Sequence, residues 1–185
     1  MKKVVLLIGI LIIGTIVYSQ NAKKGFHFDK SRIYYGGNFW INPSNRGFSM
    51  LIAPEIGYYL TPHLLFATGI SYTYIKNRRD PYYTKHFVTS YKVFSRYYFH
   101  SKEIPFLNNL FAHTEYETMF LTSKYFENDI LKSTSHFHYD NVYVGGGYIQ
   151  RLGGRFSMYM ILLYNLNYNP DSPMEEFVYR IGFGI

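Results

Sequence analysis

The chain contains no cysteine. That absence excludes a disulfide framework, a thiolate metal site and a thiol nucleophile, and it equally excludes an N-terminus anchored through a lipid-modified cysteine. Stability must come from backbone pairing and packing alone. Dense charge runs are missing too. The formal net charge of +7 is spread along 185 residues and falls to +5 once Lys2 and Lys3 are set aside. So thin a basic excess argues against nucleic acid as a partner and is compatible with anionic lipid head groups. No segment is long and polar enough to serve as an interdomain linker, so a single domain is expected.

Long apolar runs are also scarce, and the one present lies at the start. Met1-Lys2-Lys3 precede an apolar run over 4–13 that continues through Gly14-Thr15-Ile16-Val17, the charged start and short apolar middle of a secretory signal peptide. Val17 and Ser19 stand three residues and one residue before the expected cut. Residues 1–19 are thus predicted to be a signal peptide and 20–185 the mature domain. An uncleaved anchor is the alternative, but the run falls short of the ~20 apolar residues a spanning helix needs.

What the sequence has in abundance is period-two alternation. Segments near 32–41, 48–60, 64–75, 86–99, 110–121, 141–152, 156–168 and 177–185 alternate large apolar with small or polar residues, and Gly, Pro, Asn and Asp separate them. Ile33, Tyr35, Phe39 and Ile41 oppose Tyr34 and Asn38; Ile52, Ile56 and Tyr58 oppose Ala53, Glu55 and Gly57; Phe66, Ile70 and Tyr72 oppose Ala67, Gly69 and Ser71. Farther on, Phe87, Tyr91 and Tyr97 oppose Ser90, Lys92 and Arg96, and Tyr116 and Phe120 oppose His113, Glu115 and Glu117. Tyr179, Ile181 and Phe183 oppose Arg180, Gly182 and Gly184. The phase of the sixth segment, with Gly145-Gly146-Gly147, stays open. Gly153-Gly154 reads as a hairpin turn.

The fold class predicted is all-β: an eight-stranded antiparallel up-and-down transmembrane β-barrel. Alternation alone does not say which face is outside, because a soluble lipocalin-type barrel shares the period. The charge count decides. The polar phase carries about one charged residue per strand, whereas a water-exposed wall carries roughly 25–35%. An eight-stranded bore is just wide enough for side chains to fill it, so a complete set of Phe, Tyr, Leu, Ile and Met would overcrowd it. Large residues therefore face lipid, and small and charged ones face in. The aromatic content of 21% suits interfacial girdles. The connections at 61–63 and 153–155 are tight, while 76–85, 122–140 and 168–176 are longer, as short periplasmic turns and longer outer loops require. The connection at 101–109 is too long for this pattern.

With its terminal Val178-Tyr179-Arg180-Ile181-Gly182-Phe183-Gly184-Ile185 strand, its Arg96-Tyr97-Tyr98-Phe99 strand ending and its triple glycine, the chain resembles the OmpA/OmpX-like outer-membrane β-barrel proteins, in the small porin-like form common in Bacteroidetes. The resemblance covers most of the mature chain. It implies residence in the cell outer membrane, contact with outer-membrane lipids and lipopolysaccharide, insertion by the barrel-assembly machinery and a monomeric state. It further implies a non-catalytic role in envelope integrity or surface contact. A lipid-modifying barrel enzyme and a soluble periplasmic lipocalin-like carrier are the alternatives.

Three groups of residues are candidates for function. Glu55, Lys92, Arg96, Glu115, Glu117 and Arg180 form an expected charge network inside the barrel, with Lys92 and Arg96 pairing to Glu115 and Glu117 on the adjacent strand. Lys76, Arg78 and Arg79 fall in an expected outer loop and are candidates for contact with lipopolysaccharide phosphates. His136, His138 and Asp140 alternate, so an extended strand projects all three to one side, a weak metal-ligand pattern with no further ligands in sight. No metal or other cofactor is expected. The seven histidines read as scattered among strand ends and loops, and no Ser, His and carboxylate set has a recognisable spacing, so no catalytic residues are assigned.

Overall fold

The computed structural model describes residues 29–44, 47–79, 82–122, 136–168 and 176–185. The expected signal peptide lies outside the described residues. Of the short unit ending at Ser31, the described part is a turn in which the Ser31 N–H donates to Asp29 Oδ1 at 2.9 Å.

Between 32 and 185, the described residues form a closed, all-antiparallel barrel of eight strands in simple up-and-down order. The strands are β1 (Ile33–Ser44), β2 (Gly47–Thr61), β3 (Leu64–Arg79) and β4 (Tyr82–Tyr98), then β5 (Leu110–Thr122), β6 (His136–Gly153), β7 (Phe156–Asn165) and β8 (Phe177–Gly184). Closure runs through β1 and β8, from Gly36↔Gly184 to Phe39↔Ile181. Just beyond, Tyr35 and Ile185 exchange both backbone bonds, at 3.2 and 2.7 Å. Pairing all the way round leaves no strand as a free edge.

Two glycines and a threonine shape the tight turns. Gly153 and Gly154 both have positive φ, 128° and 55°, which side-chain-bearing residues rarely adopt, and they turn β6 into β7. The Thr61 hydroxyl accepts from the N–H groups of His63 and Leu64, closing the turn between β2 and β3. Pro54, with no N–H to donate, falls where the β2–β3 register passes from Ile52↔Tyr72 to Glu55↔Gly69.

The faces follow the alternation. Phe87 is 80% exposed on the outer wall, while Lys92, on the same strand, is 0% exposed in the bore. Ile52, Ile56, Ile70, Met160, Leu162 and Ile181 face outward near mid-strand. Outward rings pair near the strand ends, Tyr74 with Phe87 and Tyr164 with Phe177 towards one rim, Tyr97 with Phe99 towards the other, and Tyr91 and Tyr116 also face outward at mid-strand. The sixth strand takes the phase that turns Asn141, Tyr143 and Ile149 inward.

Three expectations need correction. The hairpin of β3 and β4 stays paired out to Arg79↔Tyr82, so residues 76–79 and 82–85 are strand rather than loop; Tyr82, Tyr83 and Thr84 are strand formers that extend the ladder. Likewise β6 begins at His136, opposite Thr122, and not at 141. The bore is also not lined by small and ionised residues alone. Leu65, Phe94, Phe111, Tyr143, Tyr159 and Leu163 are all buried inside it. Close packing requires this, because a few charged groups leave voids that only rings and branched aliphatics fill.

Glycines make the room those rings occupy. A Cβ on Gly182 would sit 2.3 Å from Tyr159 Cζ, and one on Gly147 would sit 2.5 Å from Phe111 Cζ. Gly182→Val is therefore predicted to overpack the bore, lowering the urea midpoint of the refolded barrel by the equivalent of about 1–3 kcal/mol. A midpoint equal to that of the parent would count against the seating of Tyr159 over Gly182.

Candidate functional site

Alternation on β2, β4, β5 and β8 aims six ionisable side chains at the barrel axis: Glu55, Lys92, Arg96, Glu115, Glu117 and Arg180, all buried. The three carboxylates balance the three cations. Glu55 is the hub. Its Oε1 accepts from Lys92 Nζ at 2.6 Å and Asn38 Nδ2 at 2.7 Å. Its Oε2 accepts from Tyr159 Oη at 3.1 Å, Tyr34 Oη at 3.2 Å and Arg96 Nη2 at 3.3 Å. A carboxylate withdrawn from water keeps its charge only if its lone pairs are filled in this way.

Arg96 joins the charged centre to the aromatic part of the bore. Beyond Glu55, its guanidinium donates to Tyr34 Oη at 3.1 Å, Tyr159 Oη at 2.9 Å and His113 Nδ1 at 3.2 Å. It also lies over the rings of Tyr159 and Phe94, 4.1 and 4.5 Å from their centroids. A planar, weakly hydrated cation is the one ion that can be stacked and hydrogen-bonded at once. Because His113 Nδ1 accepts from Arg96, the ring carries its proton on Nε2, which donates to Glu115 Oε2 at 3.3 Å.

A second centre forms around Arg180, which donates to Glu115 Oε1 at 2.7 Å and Glu117 Oε2 at 3.3 Å. Ser90 donates to the other oxygen of Glu117. Lys92 Nζ, 3.9 Å from Glu115 Oε2, links the two centres.

Of the expected cross-strand pairs, Lys92 with Glu115 forms as the 3.9 Å contact, and the shorter contacts go elsewhere. By register Lys92 faces Glu117 and Arg96 faces His113. Yet Lys92 pairs with Glu55, two strands away, and Arg96 pairs with Glu55 rather than with Glu115 or Glu117. The register row Glu55↔Gly69↔Lys92 gives the reason. Gly69 has no side chain, so the glutamate and lysine meet above it; a Cβ there would lie 3.1 Å from Lys92 Cε and 3.2 Å from Glu55 Cγ. In so narrow a bore, groups across the axis compete on equal terms with cross-strand neighbours.

His113, Tyr34, Asn38, Ser90 and Tyr159 belong to the cluster and are absent from the residues expected to form it. His113, on the inward phase of β5, is at its centre and not at a strand end or in a loop. The inward parity of each was legible; the residue it meets was not, because that depends on register across five strands.

The other candidates lie apart. Lys76, Arg78 and Arg79 sit at the end of the β3–β4 hairpin, opposite Lys85, Tyr83 and Tyr82. His136, His138 and Asp140 occupy the first residues of β6, and Asp140 Oδ1 accepts from Thr118 Oγ1 at 2.9 Å. Among the described residues, no three His, Cys, Asp or Glu side chains converge as a metal site.

No protein-family model matches the sequence, and no curated protein matches it. Among solved structures, the chain is similar to the N-terminal β-barrel domain of Pseudomonas aeruginosa OprF, at 14% identity and a TM-score of 0.48, over 83% of this chain and 96% of that one.

Replacing both Glu115 and Glu117 with Gln leaves Arg180 buried without a carboxylate. The double variant is predicted to lose about 3–5 kcal/mol of unfolding free energy in a urea titration. An unchanged melting curve would refute the network. A second prediction concerns the hub: Glu55→Met with Lys92→Met should cost less than the sum of the two single changes, because each single change leaves the bore with one charge in excess and the double change restores the balance. Strict additivity in a double-mutant cycle would mean that the 2.6 Å contact is not coupled.

Proposed function

We propose that this chain is an integral outer-membrane β-barrel protein with a structural, non-catalytic role in the envelope or in surface contact. The observation that carries this reading is the orientation of the wall: bulky apolar side chains project outward from every strand while the ionised ones are sequestered and mutually neutralised within. A wall of this kind in water would expose an apolar surface far larger than a soluble monomer tolerates. In a bilayer the same wall is solvated by acyl chains, and closure pairs every strand with two neighbours.

The reading extends to location and partners. The signal-like residues 1–19 are consistent with export, and the eight strands with insertion by the barrel-assembly machinery as a monomer. The end of the barrel carrying the tight turns then faces the periplasm and the long hairpin of β3 and β4 faces outward. Lys76, Arg78 and Arg79 at that hairpin end suit lipopolysaccharide phosphates, which pair with clustered cations. The filled bore favours a plug over a channel. The inward charges favour a membrane barrel over a lipocalin-like carrier, whose cavity requires the apolar face inside. A lipid-modifying activity has little support here, since the His113 and Glu115 pair is buried away from the outer wall.

Heat-modifiable gel migration after detergent extraction of the outer membrane tests the reading, with solubility in the absence of detergent as the contrary result. A sharper test uses Leu162, outward on the middle of β7. Leu162→Arg is predicted to destabilise the barrel in vesicles by about 2–4 kcal/mol, the magnitude for a cation at the bilayer midplane. A neutral effect is the outcome for a wall that faces water.

A further inference from the structure

At the turn end of the barrel, residues 62–63 join β2 to β3 and residues 154–155 join β6 to β7, but residues 99–109 join β4 to β5. This longer connection is folded, not slack. The Ser101 N–H donates to Asn108 Oδ1 at 2.7 Å, the Ile104 N–H to Ser101 Oγ at 3.1 Å, and the Leu107 N–H to the Ile104 carbonyl at 3.1 Å, within a 3-10 turn over Pro105–Asn109. Arg151, from the end of β6, fastens it to the rim through the Asn108 carbonyl at 3.1 Å and Asn109 Oδ1 at 3.4 Å.

So much fixing holds two large apolar side chains outward. Ile104 is 53% exposed and Phe106 is 62% exposed. The Phe106 ring stacks on Tyr148, centroids 6.3 Å apart and planes 29° apart, and Tyr148 is itself an outward residue of β6. Leu152 and Phe156 continue the same outer wall at this rim. Three exposed cations lie at the same end of the barrel: Lys102 in this connection, Arg151 at the end of β6 and Arg155 in the β6–β7 turn. A spacer needs neither the hydrogen bonds nor the exposed rings.

We propose that residues 101–109 form an interfacial anchor. Ile104 and Phe106 enter the boundary between acyl chains and head groups in the leaflet at the turn end, and Lys102, Arg151 and Arg155 lie at the level of its phosphates. The occupant is lipid because the patch is continuous, through Tyr148, with the wall assigned to acyl chains, and because apolar groups beside cations suit an anionic membrane surface. This anchor rests on the membrane-barrel reading above.

The absence of cysteine makes the test direct. Ile104→Cys, Phe106→Cys, Glu103→Cys and Leu162→Cys are each labelled with an environment-sensitive fluorophore and refolded into vesicles of phosphatidylethanolamine and phosphatidylglycerol. Emission at 104 and 106 is expected to shift to the blue towards that at 162, with less quenching by aqueous iodide than at 103. Labels at 104 and 106 as open to iodide as 103, with 162 shielded, would overturn the anchor and leave the membrane barrel standing. A label at 162 that is open to iodide as well would overturn both. Phe106→Trp keeps the ring and gives an independent reading: lipids brominated on the acyl chains should quench the added emission, after subtraction of Trp40 in the parent, and no added quenching would again overturn the anchor.

Discussion

A carboxylate at the axis of a closed sheet must be neutralised by whatever the other strands deliver to the same point. Glu55 is that carboxylate, and its five donors come from β1, β4 and β7. No pair of adjacent strands can satisfy it, so the contact exists only when the barrel is closed and in register. A slip of one residue on any of these strands would turn its donor outward and leave a buried charge unmatched. The cluster thus acts as a register lock, whatever it adds to net stability, and its partners are the long or rigid side chains able to span the bore.

The remaining interior is arranged around this lock. Arg96 is held between charge and ring, bonded to Glu55 on one side and stacked on Phe94 and Tyr159 on the other. Towards the turn end, Tyr34, Tyr98 and Phe111 fill the bore with rings that meet edge-on or tilted. Beyond Arg180 the lining mixes amides and hydroxyls with Leu51, Val88 and Met119: Asn165 donates to Asn141 at 2.9 Å, and Ser90 holds Glu117. Glycines occur where a neighbour needs the volume, Gly69 beneath Glu55 and Lys92, Gly182 beneath Tyr159. Along the row Gly36, Glu55, Gly69 and Lys92, small and large residues alternate for the same reason that they interdigitate in any core.

The outer wall obeys a different demand. Its side chains need only match their surroundings, and aliphatics and rings mix along its height. That freedom explains why the outer face tolerates irregularities the bore does not. Pro54 interrupts one ladder there, and the β4–β5 connection folds back as a rim segment instead of a turn.

Much of this was legible in the residues themselves. Parity is local: in an extended strand, successive side chains point to opposite faces, so the outward set and the inward Glu55, Lys92, Arg96, Glu115, Glu117 and Arg180 could be read from the chain without any knowledge of neighbours. The turn at Gly153-Gly154 could be read likewise, because positive φ belongs to glycine. The partner of each inward charge could not. Lys92 meets Glu55 rather than Glu117 because three strands are set in one particular register and Gly69 lies between them. The large residues of the bore, the length of the β3–β4 hairpin and the folded 101–109 segment were equally hidden. They depend on the radius of the closed barrel and on contacts between residues far apart in the chain, and only closure brings such residues together.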